Sequence, residues 1–108
     1  MIVNELPDSD PQKAVIQEFV KLYTDKGYDK QFPINTHSGY AWDAIMMVAN
    51  AMKKVGIDKE ALRNEIEATK NYIGISGTYN ITQEDHNGLD VDSMVMVQVK
   101  DGKFTLAK

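Results

Sequence analysis

Gly39-Tyr40-Ala41-Trp42-Asp43-Ala44-Ile45-Met46-Met47-Val48-Ala49-Asn50-Ala51-Met52-Lys53-Lys54-Val55 is the stretch on which the reading of this chain turns. Its spacing predicts a helix over about 39–55, capped by Ser38 or Thr36 and stopped by Gly56. Apolar residues cover most of the circumference, and only Asp43, Asn50, Lys53 and Lys54 mark a narrow polar strip. A helix apolar nearly all round is normally buried on several sides. The whole chain has 108 residues, one domain or a piece of one. Its other elements are few for covering such a helix. The expectation is that a partner, or more chain, completes the burial.

Toward the N-terminus, Ser9 and Asp10 are good caps and Pro11 suits a first helical turn. Val15, Ile16, Phe19, Val20 and Tyr23 then recur at helical spacing, with Lys13, Gln17, Lys21 and Asp25 toward water. Gly27 suits the helix end, and residues 28–35 form a loop stiffened by Pro33. Toward the C-terminus, Asp58 caps a third helix with Leu62, Ile66, Thr69 and Ile73 on its inner face. Gly74 and Gly77 break that pattern. Residues 78–82 read as a strand with Tyr79 and Ile81 on one side, and residues 83–92 as a polar loop. Residues 93–100 alternate, with Val95, Val97 and Val99 on one face and Met94, Met96 and Gln98 on the other. Asp101-Gly102 is a two-residue hairpin signal that sets Lys100 against Lys103, Val99 against Phe104 and Val97 against Leu106. The fold class is α+β: three helices, then a short antiparallel strand region ending in a β-hairpin. Residues 1–108 form one domain or fragment, helical to about 75 and strand from about 76.

Composition excludes several classes of function. Hydrophobic residues make up 43% and charged residues 26%, ordinary for a globular chain and unlike a disordered one. The longest apolar run, 44–49, is far too short for a membrane-spanning helix. Twelve basic against sixteen acidic residues give a net charge of −4. No run of Lys or Arg stands out, so nucleic acid is not an expected partner. Cysteine is absent, which removes disulfides, zinc–thiolate sites and thiol catalysis together. Met1-Ile2-Val3-Asn4-Glu5-Leu6 has neither the basic start nor the apolar run of a signal peptide, so an export signal is expected outside this chain.

The residues that carry chemistry do not assemble into a catalytic pattern. His37 and His86 lie in different predicted loops and read as solvated histidines rather than a metal pair. Asp85, Asn87, Asp90 and Asp92 surround Gly88, yet a calcium loop needs glycine sixth and a glutamate twelfth, where this chain has glycine fourth and Met96 twelfth. Gly74-Ile75-Ser76-Gly77 lacks the spacing of a nucleophile elbow and follows a helix; its glycines more naturally supply backbone freedom where the chain changes direction. Met46, Met47, Met52, Met94 and Met96 read as core filler rather than a copper site. Glu60, Glu65, Glu67 and Lys70 form a solvated helix face. No phosphate loop, no metal site and no cofactor motif is present, and an enzyme is not expected. Trp42 reads as a core residue. Tyr40 stands open between lining a small-molecule cleft at a helix head and covering that helix end.

Leu6-Pro7-Asp8-Ser9-Asp10-Pro11, then Phe19 and Tyr23, then Gly39-Tyr40-Ala41-Trp42-Asp43-Ala44, carry a resemblance. So do Leu62-Arg63, Ala68-Thr69-Lys70, Gly74-Ile75-Ser76-Gly77-Thr78-Tyr79 and the closing Val97-Gln98-Val99-Lys100-Asp101-Gly102-Lys103-Phe104. In order and spacing they resemble the C-terminal third of the periplasmic binding proteins of branched-chain amino acid ABC transporters, the type I solute-binding fold. The resemblance implies two lobes that close on a ligand, a small amino-acid-like molecule, and delivery to a membrane permease. It implies a periplasmic or extracellular, lipid-anchored parent, with Tyr40 as a ligand contact and Gly74 and Gly77 as hinge positions in the last crossover. A ligand-sensing receptor domain with the same fold, and a stand-alone helix–hairpin interaction module, are the alternatives. Self-association of the chain into a homodimer would cover its apolar helix.

Overall fold

In the structure, a computed structural model describing residues 2–107, the first long element is helix α1, Pro11–Asp25. Asp10 caps it, its carboxylate accepting the Gln12 N–H at 2.9 Å. The apolar stripe of α1 turns inward at Phe19, whose ring lies 5.5 Å from Trp42 and 5.6 Å from Tyr23. A single turn of 3-10 helix, Ile2–Glu5, precedes α1, and Val3 from it is buried.

Helix α2 spans Thr36–Val55. Its cap is Asn35, not Thr36 or Ser38. Asn35 alone keeps an extended backbone, and its side chain accepts the Ser38 N–H while the Ser38 hydroxyl accepts the Asn35 N–H. This reciprocal pair places Ser38 at the third helical position. Helix α3, Lys59–Glu67, is capped by Asp58, which accepts the Ala61 N–H at 2.9 Å. It stops earlier than the sequence pattern suggests. Thr69 and Ile73 lie beyond it: Ala68 is already the C-cap, the Thr69 carbonyl accepts the Ile81 N–H, and the left-handed Asn71 (φ 51°) turns the chain away before Ile73. A Lys54–Glu65 ion pair at 2.6 Å joins α2 to α3.

Ile73 instead belongs to strand β1, Tyr72–Ile73, which pairs antiparallel with β2, Thr78–Tyr79. The four residues between them close a tight turn, with the Gly74 N–H donating to the Gly77 carbonyl at 2.9 Å. Strand β2 is shorter than expected because the next amides pair elsewhere: Asn80 donates to Gly88 and Ile81 to Thr69. Ile81 is thereby buried. A short 3-10 turn, Val91–Ser93, delays the last hairpin, so β3 covers only Val97–Lys100 before β4, Lys103–Leu106. The register is the one the sequence predicts, Val97 against Leu106 and Val99 against Phe104. Asp101 (φ 52°) and Gly102 (φ 73°) both carry positive φ, as a type I′ turn demands. The two strand pairs form separate sheets.

The hydrophobic core is small: Val3, Phe19, Ala51 and Ile81 are its buried apolar members. Helix α2 turns part of its polar strip inward: Asp43 is only 1% exposed and Asn50 half-buried, beside Trp42, Met46, Met47 and the buried Ala51, while Lys53 and Lys54 are exposed. Its apolar stripe of Ala41, Ala44, Ile45, Val48, Met52 and Val55 faces outward, with Ile45 69% exposed. The final hairpin is largely exposed, including Val99 and Phe104, as are the preceding methionines Met94 and Met96 that alternation assigned to a core; only Thr105 and Leu106 are half-buried, where β4 packs against the Ile2–Glu5 turn. It is tied to the body at one edge, where the Leu106 N–H donates to the Glu5 carboxylate at 3.1 Å. The result is elongated, 50 × 32 × 22 Å. Among the described residues no helix is long and apolar enough to cross a membrane.

Candidate functional site

The densest polar construction in the chain joins the first half of α2 to the turn at residues 74–77. Asp43 lies two turns into α2. One carboxylate oxygen accepts the Ile75 N–H at 2.7 Å; the other accepts the Ser76 N–H at 2.9 Å and the Tyr79 hydroxyl at 3.3 Å. From the opposite side, the Gln12 amide of α1 donates to the carbonyls of Gly74 (3.0 Å) and Ile75 (3.3 Å). Two donors of the turn are thus taken by one helix and two of its acceptors by another. A buried carboxylate is costly unless hydrogen bonds replace its water, and three do so here.

Two glycines make room for this contact. A Cβ at Gly74 would sit 2.8 Å from the carboxylate of Asp43, and one at Gly39 would sit 2.9 Å from Cγ2 of Ile75. Gly77 is required for a different reason. Its φ of 153° lies in the region that favours glycine, and a Cβ there would meet Ser93 at 2.5 Å and Leu89 at 2.8 Å. Burial holds the Tyr79 phenol above the ordinary tyrosine range; the negative charge of Asp43 adds to this and a hydrogen bond with Ser76 opposes it. Tyr72, whose ring centroid lies 6.1 Å from that of Tyr79, is raised chiefly by burial and secondarily by Asp43.

Tyr40 stands half-exposed near the head of α2, its ring edge-on to His37 at 6.1 Å. Gly74 and Gly77 bracket the turn that Asp43 holds. Trp42 points away from Tyr40, into contact with Phe19. Sequence reading missed Asp43 as a site residue, taking it only as one member of the narrow polar strip of the helix. The signal available was the pairing of that lone acidic residue with a downstream Gly-x-x-Gly turn rich in free amides.

The histidines do not come together. His86 reaches back to α3, its Nε2 2.8 Å from Oε1 of Glu67, and Arg63 donates to the same oxygen at 3.2 Å. Glu67 therefore does not belong to a solvated face; its side chain is 11% exposed. The hydrogen bond from His86, above all, holds its carboxyl below the usual range. Asp85 accepts the amides of Asn87 and Gly88, and Asp90 that of Asp92, so these acids build turns. Among the described residues no group of three or more His, Asp or Glu is placed to hold a metal ion. A groove of about 510 Å³ lies between the C-terminal half of α2 and the α3–β1 connection. It contains none of Tyr40, Asp43, Gly74 or Gly77, and two of its lysines are engaged, Lys54 with Glu65 and Lys70 with the Ile81 carbonyl.

Residues 2–103 match the family model described as periplasmic binding protein, and the chain belongs to that family. An extracellular ligand-binding receptor from Rhodopseudomonas palustris HaA2 is similar to 98% of this chain with a TM-score of 0.83 and 26% identity. A second extracellular ligand-binding receptor from Rhodopseudomonas palustris is similar over the same share, with a TM-score of 0.77 and 27% identity. No curated protein matches the chain. The chain spans 31% of the length of each of these receptors, so its fold is a partial type I periplasmic binding fold. The outward apolar stripe of α2 is in keeping with a fold of which only part is present.

Proposed function

We propose that this chain is the C-terminal part of a receptor that captures a small molecule between two lobes and presents it to an ABC permease, making and breaking no bond. The observation that carries the reading is the similarity of 98% of the chain to an extracellular ligand-binding receptor, joined to the bare apolar stripe on α2. In this reading the parent works in the periplasm or at the outer surface as a lipid-anchored protein. The ligand is a branched-chain amino acid or a related anion. Tyr40, exposed near the head of α2, contacts it, and Gly74 and Gly77 delimit the hinge segment of the last crossover. The chain by itself holds half a cleft, which leaves a ligand's charges in water and gives no tight site. It covers its α2 stripe by pairing with a second copy.

Calorimetry on the intact receptor that contains this segment tests the reading, with leucine, isoleucine and valine as probes. The expected result is saturable binding that Tyr40→Ala weakens by about tenfold, equivalent to ~1.4 kcal/mol. Binding that is unchanged by Tyr40→Ala would remove Tyr40 from the site. Absence of binding to all three amino acids would overturn the assigned ligand class.

A further inference from the structure

We propose that Asp43 is a positioning residue that fixes the 74–77 turn to the head of α2, so that Tyr40 and the segment leaving the turn keep one relative geometry. Its bearing on ligand capture rests on the function proposed above; the latch itself does not. Asp43 is the one buried charged side chain among the described residues. Both of its oxygens are used, each on a different one of two consecutive amides, Ile75 and Ser76. A single hydrogen bond would leave the turn free to pivot about it. Two parallel bonds from one planar group remove that pivot, as bidentate contacts do elsewhere. The Tyr79 hydroxyl adds a third point of attachment on the far side of the turn.

The surroundings match a device for placement more closely than a device for burial. A site built for burial alone would hold an apolar side chain, which here would strand the amides of Ile75 and Ser76. Instead the chain keeps Gly39 and Gly74 bare, which lets the helix and the turn approach to contact. Gln12 meanwhile occupies the carbonyls of Gly74 and Ile75 and, among the described residues, its side chain hydrogen-bonds nothing on α2, so it ties the turn to α1 rather than to that helix. Among the described residues, Asp43 is the only side chain of α2 that accepts from the turn's amides.

Asp43→Asn separates placement from packing. The amide has the same shape but offers one acceptor oxygen, and its NH₂ faces a donor where the second oxygen stood. Two readouts follow it in the 108-residue chain, neither of which involves a ligand. The first is amide hydrogen exchange at Ile75 and Ser76, compared with the Phe19 amide of α1 as a reporter of global stability. The second is the titration of the Tyr79 phenol, assigned with Tyr72→Phe. Wild-type Ile75 and Ser76 are expected to exchange at least about 100-fold slower than unprotected amides. In Asp43→Asn their protection falls by at least about tenfold more than that of Phe19, a factor of ten being ~1.4 kcal/mol. The phenol then titrates at lower pH, because the charge beside it is gone. Unprotected Ile75 and Ser76 in the wild type would overturn the proposal, and this arm decides the matter even where the variant fails to fold. A folded variant with unchanged exchange and an unchanged phenol titration would overturn it equally.

Discussion

Gly74→Ala tests how closely helix and turn are fitted. Gly74 does not have a positive φ, so alanine faces no backbone penalty there. The added methyl would lie 2.8 Å from Cγ and both oxygens of Asp43. That is roughly 0.7 Å inside ordinary contact between heavy atoms. The carboxylate cannot withdraw without giving up amide bonds of 2.7 and 2.9 Å. Overpacking of this kind costs ~1–3 kcal/mol, and surrendering a hydrogen bond to a charged acceptor costs ~1.5–3 kcal/mol. The site yields by the cheaper route, so about 2 kcal/mol is expected. Asp43→Ala alone strands two partly buried amides, at the lower part of the ~1–3 kcal/mol range each, about 3 kcal/mol together. In that background the methyl of Gly74→Ala enters vacated space and adds close to nothing. The double-mutant cycle therefore shows a coupling of about 2 kcal/mol. Urea unfolding followed by circular dichroism measures all four corners. Gly27→Ala is the control: its φ is 72° with nothing within 4 Å, so it costs ~1 kcal/mol and adds independently to Asp43→Ala. Gly74→Ala costing the same with and without Asp43 would refute the reasoning.

Three further outcomes are expected. Because the folded state raises the Tyr79 phenol, its contribution to stability is full below the ordinary value of about 10 and is lost as pH rises through the folded-state value; thermal melts between pH 8 and 12 show this fall, and Tyr79→Phe flattens it. Glu67 has the opposite sign: its depressed carboxyl stabilises the fold above its ordinary value of 4.5 and ceases to do so as pH falls through the folded-state value. Carbon-13 NMR of the carboxyl group follows that titration, and His86→Ala moves it upward. Ile45→Lys, at a position 69% exposed, changes the stability of the chain by less than ~0.5 kcal/mol while reducing its binding of an apolar dye, both read from one thermal scan with the dye present.

What could be read from the sequence was what is decided locally. Asp101-Gly102 fixes a type I′ turn, and a type I′ turn fixes the pairing of Val97 with Leu106. Asp10 and Asp58 announce their helices because a cap acts within three residues. The misreadings have longer-range causes. Periodicity assigns residues of α2 to faces, but which face turns inward depends on what else is present. In this chain the body lies on the side of Asp43 and Ala51, so the apolar stripe is left outside. Thr69 fits a helical face in sequence, yet its carbonyl is claimed by the Ile81 amide. The contact of His86 with Glu67 joins residues of two elements and leaves no local pattern. The family was legible in the order of many weak motifs, whereas the Asp43 contact left only the faint signal of the Gly74–Gly77 spacing, because its partners are mainly backbone amides.

The central claim is that α2 carries a face made to be covered by parts of a receptor that this chain lacks. Sedimentation equilibrium of the purified chain across micromolar concentrations, with an apolar dye present, tests it most directly. The account predicts concentration-dependent association together with dye binding at low concentration, both reduced by Ile45→Lys. A monomer at every concentration that binds no dye would contradict it.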